Sequence, residues 1–228
     1  MSRRDLTALG ASLLVGAACT VTAQPTPSAI DARYVALGDS YTVGTAVSPT
    51  DSWPSQLVAR LDGRLELVAN LGVNGYSTDD LIADELPALD DLDPGFVSVQ
   101  IGVNDAVRGV PQSTYAANVE IILDALLERL TSARILAVAT PDYTLTPAGS
   151  SFGDPAQQSA EIARFNEVLR SAAEARGIAF VADIYEISRR AAADPSLVAG
   201  DGLHPSGAQY ALWVDAILPV VEGLLAES

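Results

Sequence analysis

The sequence is poor in the residue types that build metal sites, disulfides and phosphate-binding loops. Its 228 residues include one cysteine, one histidine and no lysine, so all 13 basic residues are arginine. A structural zinc site takes about four ligands, drawn largely from cysteine and histidine, and an intrachain disulfide takes two cysteines. A Walker-type phosphate loop requires a lysine. We therefore predict a chain without a metal ion, another cofactor or an internal disulfide.

The remaining composition is that of one acidic domain with an aliphatic core. The chain has 29 acidic and 13 basic residues, which give a formal net charge of −16. Nucleic acids and anionic membranes bind proteins through clustered positive charge, so we predict no nucleic-acid or membrane-surface partner. Apolar residues make up 49% of the chain and aromatic residues 6%. This is enough for one sizeable core built mainly from aliphatic side chains.

The first 32 residues have the composition of an export signal followed by a tether. A short basic start, Ser2-Arg3-Arg4, precedes an apolar run of small residues from Ala8 to Ala18. That run is too short to span a bilayer as a helix, which takes about 20 residues, and the combination is typical of a secretory signal. Residues 20–32 are rich in Thr, Pro, Ser and Ala, as linkers are. We predict an export signal and tether over residues 1–32 and one folded domain over residues 33–228.

Two details of this segment bear on where the protein is delivered. Cys19 follows Gly16-Ala17-Ala18 and resembles the cleavage site of bacterial lipoproteins, where the cysteine carries the lipid anchor; cleavage after Ala23 is the alternative. The Arg3-Arg4 pair resembles part of a twin-arginine signal. We predict an exported protein, either a cell-surface lipoprotein anchored at Cys19 or a secreted or periplasmic protein.

From residue 33 onwards, short apolar runs alternate with segments of helical periodicity. The runs predict five strands, at Arg33–Gly38, Leu65–Asn70, Phe96–Gly102, Arg134–Thr140 and Ile178–Asp183. The spacing of apolar residues predicts helices that begin near Ser52 and lie over Leu81–Leu86, Thr114–Thr131, Ala156–Arg176 and Ser206–Leu225. Alternating apolar strands and helices indicate an α/β fold, a three-layer α/β/α sandwich around a mostly parallel five-stranded sheet. In such sheets ligands bind beyond the carboxyl ends of the strands.

Polar and glycine residues cluster at these predicted strand ends. Gly38-Asp39-Ser40-Tyr41 follows the first strand, Asn74-Gly75 lies beyond the second, and Gly102-Val103-Asn104-Asp105 follows the third. The single histidine, His204, lies in a loop before the last helix, three residues after Asp201. Each segment alone is typical of an ordinary turn. Together they bring a hydroxyl nucleophile, a base and an amide to one edge of the sheet, which predicts an active site.

These segments resemble the conserved blocks of the SGNH, or GDSL-type, hydrolases, and the resemblance extends over residues 33–225. It implies a flavodoxin-like sandwich that hydrolyses esters with a serine nucleophile. Ser40 would attack the acyl carbon, His204 would act as its general base, and Asp201 would orient the imidazole. The implied oxyanion hole consists of the Ser40 and Gly75 backbone N–H groups and the Asn104 side-chain amide. Tyr41 stands where the family name has leucine, which changes the pocket wall and leaves the chemistry unchanged.

The substrate pocket is expected to be lined by long connections after the third and fourth strands. Residues 103–113 and 141–155 are predicted as these loops, and Tyr143 and Phe152 in the second loop, with Tyr41, are predicted to bind substrate. Asp39 and Asp105 are interpreted as structural, and Asp142 as a residue that could line the pocket.

We predict hydrolysis of carboxylic esters with short to medium acyl groups, on a small-molecule, glycan or lipid ester. Alternatives within the same fold are a carbohydrate O-acetyl esterase, a lysophospholipase and a thioesterase. Two other classes stay open: a non-catalytic surface-binding module and a flavodoxin-like nucleotide-binding protein.

Overall fold

The computed structural model describes residues 32–226. The predicted export signal, with Cys19 and the Arg3-Arg4 pair, lies outside the described residues. Ala32, the last residue of the predicted tether, is the first residue of strand β1.

The centre of the molecule is a five-stranded parallel sheet. Its strands are β1 (Ala32–Gly38), β2 (Leu65–Asn70), β3 (Phe96–Gln100), β4 (Ile135–Val138) and β5 (Ala179–Val181). The strand order is β2-β1-β3-β4-β5 and every neighbouring pair is parallel, which is the order of flavodoxin-type doubly wound sheets. The predicted fold class is confirmed, and the last three strands are shorter than predicted.

The strands alternate with helices of very different lengths. The helices are α1 (Ser40–Val43), α2 (Trp53–Arg60), α3 (Thr78–Asp80), α4 (Leu86–Leu92), α5 (Val103–Val107), α6 (Gln112–Leu127), α7 (Pro155–Ala175), α8 (Ile184–Ser188) and α9 (Gly207–Ala226). A π-helical turn, Leu81–Glu85, joins α3 to α4, so the predicted helix at Leu81–Leu86 is part of a longer helical stretch. Helices α1, α5 and α8 were not predicted, because four or five residues are too few to show a helical period.

The helices form one layer on each face of the sheet. Helix α2 packs against α9, and α6 packs against α7, as right-handed crossovers between parallel strands require. Trp53 and Trp213 are fully buried in the first of these layers. In the second, the rings of Tyr115 and Phe165 stack with centroids 4.2 Å apart. Helix α9 has the length and apolar composition of a membrane-spanning helix, but its buried face contributes to this core.

Two central strands end at the same level, which sets the position of the segments that follow them. Gly38 at the end of β1 pairs with Gln100 at the end of β3. The buried Gln100 side chain accepts a hydrogen bond from Trp53 Nε1 (3.1 Å) and donates one to Ala139 O (2.9 Å). It therefore connects α2, β3 and the chain just after β4. Strand β2 lies on one side of β1 and β3 lies on the other, so the direction in which strands are added reverses at β1. Ligands bind at such a switch point.

The end of β1 can be built only with glycine. Gly38 has φ +152°, and a Cβ at this position would overlap Gln100 O and Thr42 Oγ1. The Gly38 N–H donates to Glu85 Oε2 (2.8 Å), a side chain supplied by the π-helical turn. π-Helical turns are rare in proteins, and many of those known lie at functional sites. The contact with Glu85 therefore indicates that the end of β1 belongs to a functional site.

Two carboxyl groups are buried behind this strand end. Asp39 is fully buried and Glu85 is 3% exposed, and each keeps one oxygen without a hydrogen-bond partner among residues 32–226. Burial raises the pKa of Asp39 to about 7, against the lowering effect of the Tyr41 N–H bond. Burial likewise raises the pKa of Glu85 to about 9, and the carboxylates of Asp39 and Asp84 add to the increase. Glu85 therefore carries a proton at neutral pH.

We expect the pH dependence of stability to expose the buried proton on Glu85. A carboxyl whose pKa is raised by folding binds more protons in the folded state, so the free energy of unfolding falls as pH rises from about 5 to about 9. The variant Glu85→Gln keeps an acceptor for Gly38 N–H and is neutral at every pH. Its loss of stability between pH 5 and pH 9, measured by urea unfolding, should be smaller than that of the wild type by more than about 1.4 kcal/mol, the equivalent of one pKa unit.

The matched control is Asp91→Asn, which removes an exposed carboxylate from α4. It removes one carboxyl group, as Glu85→Gln does, but from a position where folding does not bury it, and it should follow the wild-type curve. A Glu85→Gln curve parallel to that of the wild type would mean that Glu85 is ionised in the folded protein.

Candidate active site

The turn after β1 presents Ser40 at the edge of the sheet. Ser40 is the first residue of α1, and Asp39 caps this helix by accepting the Tyr41 N–H at Oδ1 (2.9 Å). The helix ends after one turn at Gly44, which has φ +82° and donates its N–H to Ser40 O. No hydrogen bond within the described part of the chain uses the Ser40 N–H. Both the hydroxyl and the backbone N–H of Ser40 are thus available for a ligand.

Asp201 holds His204 through the ring and through the backbone. Asp201 Oδ2 lies 2.6 Å from His204 Nδ1, and Oδ1 accepts the N–H groups of Leu203 (2.9 Å) and His204 (3.0 Å). Burial raises the pKa of Asp201, but these hydrogen bonds together lower it below its ordinary value. A carboxylate that is ionised at neutral pH can only accept, so Nδ1 carries the proton of the neutral imidazole and Nε2 has the free lone pair.

The imidazole packs on an aromatic side chain from the turn that carries Ser40. The rings of Tyr41 and His204 have centroids 5.2 Å apart, and Tyr41 also lies beside Trp213 at 6.5 Å. Burial raises the pKa of Tyr41, so its hydroxyl stays neutral. Tyr41 therefore links the turn that carries Ser40 to the loop that carries His204.

The segment after β2 forms a tight turn around Gly75. Tyr76 N donates to Val73 O (3.1 Å) across this turn, and Gly75 has φ +83°, the value that the third residue of a type II turn takes. Among residues 32–226, no hydrogen bond uses the Gly75 N–H. Asn104, on α5, donates one side-chain N–H to Tyr76 O (2.8 Å). This contact fixes the amide and leaves its second N–H for a ligand.

These groups line one cavity of about 210 Å³. Its walls contain Ser40, Tyr41, Asn74, Gly75, Val103, Asn104, Val107, Tyr143, Phe152, Leu203 and His204. Every residue predicted as catalytic, as part of the oxyanion hole or as substrate-binding is in this set except Asp201, which reaches the site through His204. In the part of the chain that the structure describes, no hydrogen bond joins Ser40 Oγ to His204. In active sites without substrate this bond is often long.

The loop after β4 closes one side of the cavity with two aromatic rings. Tyr143 is 3% exposed and meets Phe152 edge to face, with centroids 5.5 Å apart. Phe152 is 39% exposed and lies at the rim. The expectation that Asp142 could line the pocket was wrong. Asp142 is fully buried and accepts hydrogen bonds from Ser159 Oγ and from the Arg189 guanidinium, so it anchors the loop to α7 and the segment after α8.

Several contributors to the site were not predicted from the sequence. Asn74, Val107 and Leu203 line the cavity, and Arg108 contacts the Gly75 turn from outside it. Residues 103–113 were predicted as a loop, whereas the first five of them form α5. The four-residue interval from Asn104 to Arg108 would have indicated one helical face had this helix been predicted. Within residues 32–226, no group of three or more His, Cys, Asp or Glu side chains is arranged to hold a metal ion.

The sequence of this chain matches one protein family and two characterised relatives. The model of the GDSL-like lipase/acylhydrolase family matches residues 36–212. A GDSL lipase of Mycobacterium tuberculosis is 27% identical over 97% of this chain and 97% of its own length. An arylesterase of Vibrio mimicus is 26% identical over 111 residues, which are 48% of this chain and 56% of the arylesterase. The second match therefore spans little more than half of that relative.

Solved structures share the fold. An acetyl xylan esterase from Geobacillus stearothermophilus superposes with a TM-score of 0.65 at 20% identity, over 83% of this chain and 94% of its own. A lipolytic protein of the G-D-S-L family from Veillonella parvula gives 0.67 at 16% identity, over 83% and 98%. Catalytic mutants of the xylan esterase change a serine, an aspartate and a histidine, and the last two are three residues apart. The predicted fold and the predicted class of ester hydrolase are confirmed, and the chain belongs to the GDSL-like lipase/acylhydrolase family.

Proposed function

We propose that this enzyme hydrolyses carboxylic esters through an acyl-enzyme on Ser40. One observation carries the proposal: Ser40, Gly75, Asn104 and His204 line a single cavity, and His204 is held at Nδ1 by Asp201. A serine hydroxyl needs a neighbouring base to become a strong nucleophile. Here the base is the sole imidazole of the chain.

The reaction proceeds in two displacements. Ser40 Oγ attacks the acyl carbon while His204 Nε2 takes the hydroxyl proton, and the same nitrogen returns that proton to the leaving alcohol. Water then attacks the acyl-enzyme with His204 again as the base, which releases the acid and restores Ser40. Throughout, the Asp201 carboxylate stabilises the imidazolium and keeps its orientation.

The oxyanion that forms in each displacement is bound by three donors. Two are the backbone N–H groups of Ser40 and Gly75, which no protein group uses in residues 32–226. The third is the second side-chain N–H of Asn104, whose first N–H is bound to Tyr76 O. Such donors act because they are already in place when the charge develops, and one of them is worth about 10²–10³ in turnover.

The acetyl xylan esterase supports the assignment of the three catalytic side chains. In that protein the residues changed in the catalytic mutants are a serine, and an aspartate and a histidine at the spacing of Asp201 and His204. Ser40 precedes this pair in the chain, in the same order.

The cavity favours a small, neutral acyl group. Its volume of about 210 Å³ is below the roughly 300–1,000 Å³ of pockets that hold drug-sized ligands. Apart from His204, its titratable lining groups are the tyrosines 41 and 143, and burial raises the pKa of both, that of Tyr143 to about 12. The substrate we propose is therefore an ester with a short to medium acyl chain, and an O-acetylated carbohydrate belongs to this class. Lysophospholipids and thioesters with long acyl chains are less suitable substrates, because their chains exceed the size of the cavity.

Replacement of the nucleophile tests the proposed function. We expect Ser40→Ala to lower the hydrolysis of p-nitrophenyl acetate by at least about 10³-fold, since removal of a nucleophile leaves only binding and the oxyanion donors. A fluorophosphonate should add its mass to the Ser40 peptide of the wild type. The control is Ser48→Ala, an exposed serine eight residues later, which should retain full activity. Equal rates for the wild type and Ser40→Ala would remove Ser40 from the mechanism.

The rim residue Phe152 should set the upper limit of acyl length. On p-nitrophenyl esters from acetyl to palmitoyl, kcat/KM of the wild type should decline beyond medium chains. Phe152→Ala should raise the ratio of octanoyl to acetyl kcat/KM about tenfold, since small changes in an apolar pocket wall discriminate by that order. Ile121→Ala, which removes an exposed apolar side chain on α6 away from the cavity, is the control. An unchanged ratio in Phe152→Ala would place the acyl group elsewhere.

We further propose that the enzyme is exported, on the strength of the basic and apolar segments within residues 1–18. The intact mass of the protein recovered from its native cells tests this. Cleavage before Cys19 with added lipid mass is expected of a cell-surface lipoprotein, and cleavage after Ala23 is expected of a secreted or periplasmic form. A protein that keeps residues 1–23 in the cytoplasm would contradict export.

A further inference from the structure

Helix α5 and Arg108, the residue that ends it, contact the Gly75 turn and the segment after it at several points. Besides the bond from Asn104 to Tyr76 O, the buried Asp105 carboxylate accepts the Thr78 N–H (3.0 Å) and the Thr78 hydroxyl (2.5 Å). Arg108, one helical turn after Asn104, donates from Nη2 to Gly75 O (2.6 Å). The helix that supplies the oxyanion amide therefore also holds the turn that supplies the second backbone donor.

Arg108 makes two contacts with this segment at once. While Nη2 binds Gly75 O, Nη1 lies 3.2 Å from Asp80 Oδ2. The same Asp80 oxygen accepts the backbone N–H and the hydroxyl of Ser77, and the pKa of Asp80 is lowered, first by its bonds to Ser77 and then by Arg108. Asp80 is thus ionised at neutral pH, and the guanidinium bridges a fixed carboxylate and the Gly75 carbonyl.

Gly75 needs such an external contact. Glycine adopts φ +83° without strain, but it also adopts many other conformations, and Gly75 has no side chain that could restrain it. The peptide group that carries the Gly75 carbonyl also carries the Tyr76 N–H, which binds Val73 O, so the turn and Arg108 hold this group from two sides. The Gly75 N–H belongs to the preceding peptide group, which is joined to this one at the Gly75 Cα and keeps its direction only while the turn keeps φ +83°. On the far side of the turn, the Thr45 hydroxyl donates to the Asn74 side-chain oxygen. Within residues 32–226, the side chain that binds the Gly75 carbonyl is Arg108.

We infer that Arg108 is a positioning residue for the oxyanion hole: by holding Gly75 O, it keeps the Gly75 N–H directed at the cavity. This rests on the proposed function of Ser40 and its oxyanion donors. Arg108 is not among the described residues that line the cavity, so it acts on the transition state through Gly75 and makes no contact with substrate.

A planar guanidinium suits this role better than an ammonium group. Its N–H groups lie in a fixed fork, so one side chain can bind a carbonyl and a carboxylate in two directions at once. Arg108 is also 52% exposed, so its removal uncovers no core. A kinetic effect of its substitution will therefore report the position of the turn and not a loss of folding.

The test compares Arg108→Met with Arg108→Lys on p-nitrophenyl acetate. Methionine keeps much of the apolar stem and removes both contacts, and we expect kcat to fall about 10- to 100-fold with KM changed less than about twofold, because a donor that is displaced only weakens transition-state binding. Lysine keeps the charge and one donor and should recover part of the loss. The rate of inactivation by a fluorophosphonate, which places an oxygen in the same hole, should fall in parallel with kcat.

Two controls separate this role from general effects of charge and stability. Arg60→Met removes a comparably exposed arginine, 43% exposed and paired with Asp215 on the α9 side of the molecule, and should leave kcat unchanged. Asp80→Asn keeps an acceptor for Ser77 and for Arg108 and should lose less activity than Arg108→Met. The melting temperature of each variant should stay within a few degrees of that of the wild type.

The outcomes distinguish the inference from the proposed function. If Ser40→Ala hydrolyses the ester as fast as the wild type, the proposed function fails and the role of Arg108 fails with it. If Ser40→Ala is inactive while Arg108→Met keeps the wild-type kcat, the proposed function stands and the positioning role is overturned. An increase in KM with unchanged kcat would also overturn it, because that result would place Arg108 in ground-state binding.

Discussion

The level pairing of Gly38 with Gln100 is the constraint on which the site depends. Because β1 and β3 end side by side, the short segments that follow them place Ser40 and Asn104 close together. No long loop is needed for this. Gln100 reinforces the register, since its buried amide joins the strand to α2 and to the chain beyond β4. A shift of one residue between these strands would separate the proposed nucleophile from its proposed oxyanion donor. It would also move the side chains of one strand to the opposite face of the sheet, against the other layer of helices.

The strand end that precedes Ser40, the proposed nucleophile, contains features that are unfavourable for folding and that fix the position of this residue. Gly38 takes a backbone conformation that leaves no room for a Cβ, and the carboxyls behind it, Asp39 and Glu85, are buried with one unpaired oxygen each in the described part of the chain. Buried polar groups of this kind are unfavourable for folding. They persist here because the Glu85 carboxyl holds Gly38 N–H and the Asp39 carboxylate caps α1. The cost of burying the Glu85 carboxyl should therefore appear as the expected fall in the free energy of unfolding as pH rises.

The sequence predicted those parts of the molecule that a local pattern encodes. Apolar runs located all five strands, and the residues after β1 and β3 together with the sole histidine located the cavity, because parallel strands bring their carboxyl ends to one edge. Short helices were not predicted, since α5 has too few residues to show a period. Because α5 was not predicted, the contact of Arg108 with Gly75 was not predicted either. This contact involves a backbone carbonyl, which no sequence pattern marks. Asp142 was misplaced for the opposite reason: its position after a strand suggested the cavity, but Arg189 draws the carboxylate to the other side of the loop.

The two halves of the site are held in different ways, and this difference follows from what each must do. The proposed oxyanion donors lie on α1, on α5 and on the Gly75 turn that α5 and Arg108 hold, because stabilising a transient charge requires dipoles that do not reorganise. The recognition wall is a loop whose rim, at Phe152, is partly exposed. His204 lies between these extremes, on a loop braced by Asp201 and by the ring of Tyr41, and it has no hydrogen bond to Ser40 among the described residues. In the proposed mechanism the base accepts a proton from one oxygen and delivers it to another, so its ring plane must be fixed while one ring nitrogen stays unbound. The Asp201 bond at Nδ1 and the packing against Tyr41 fix the plane of His204, and Nε2 makes no hydrogen bond to any described residue.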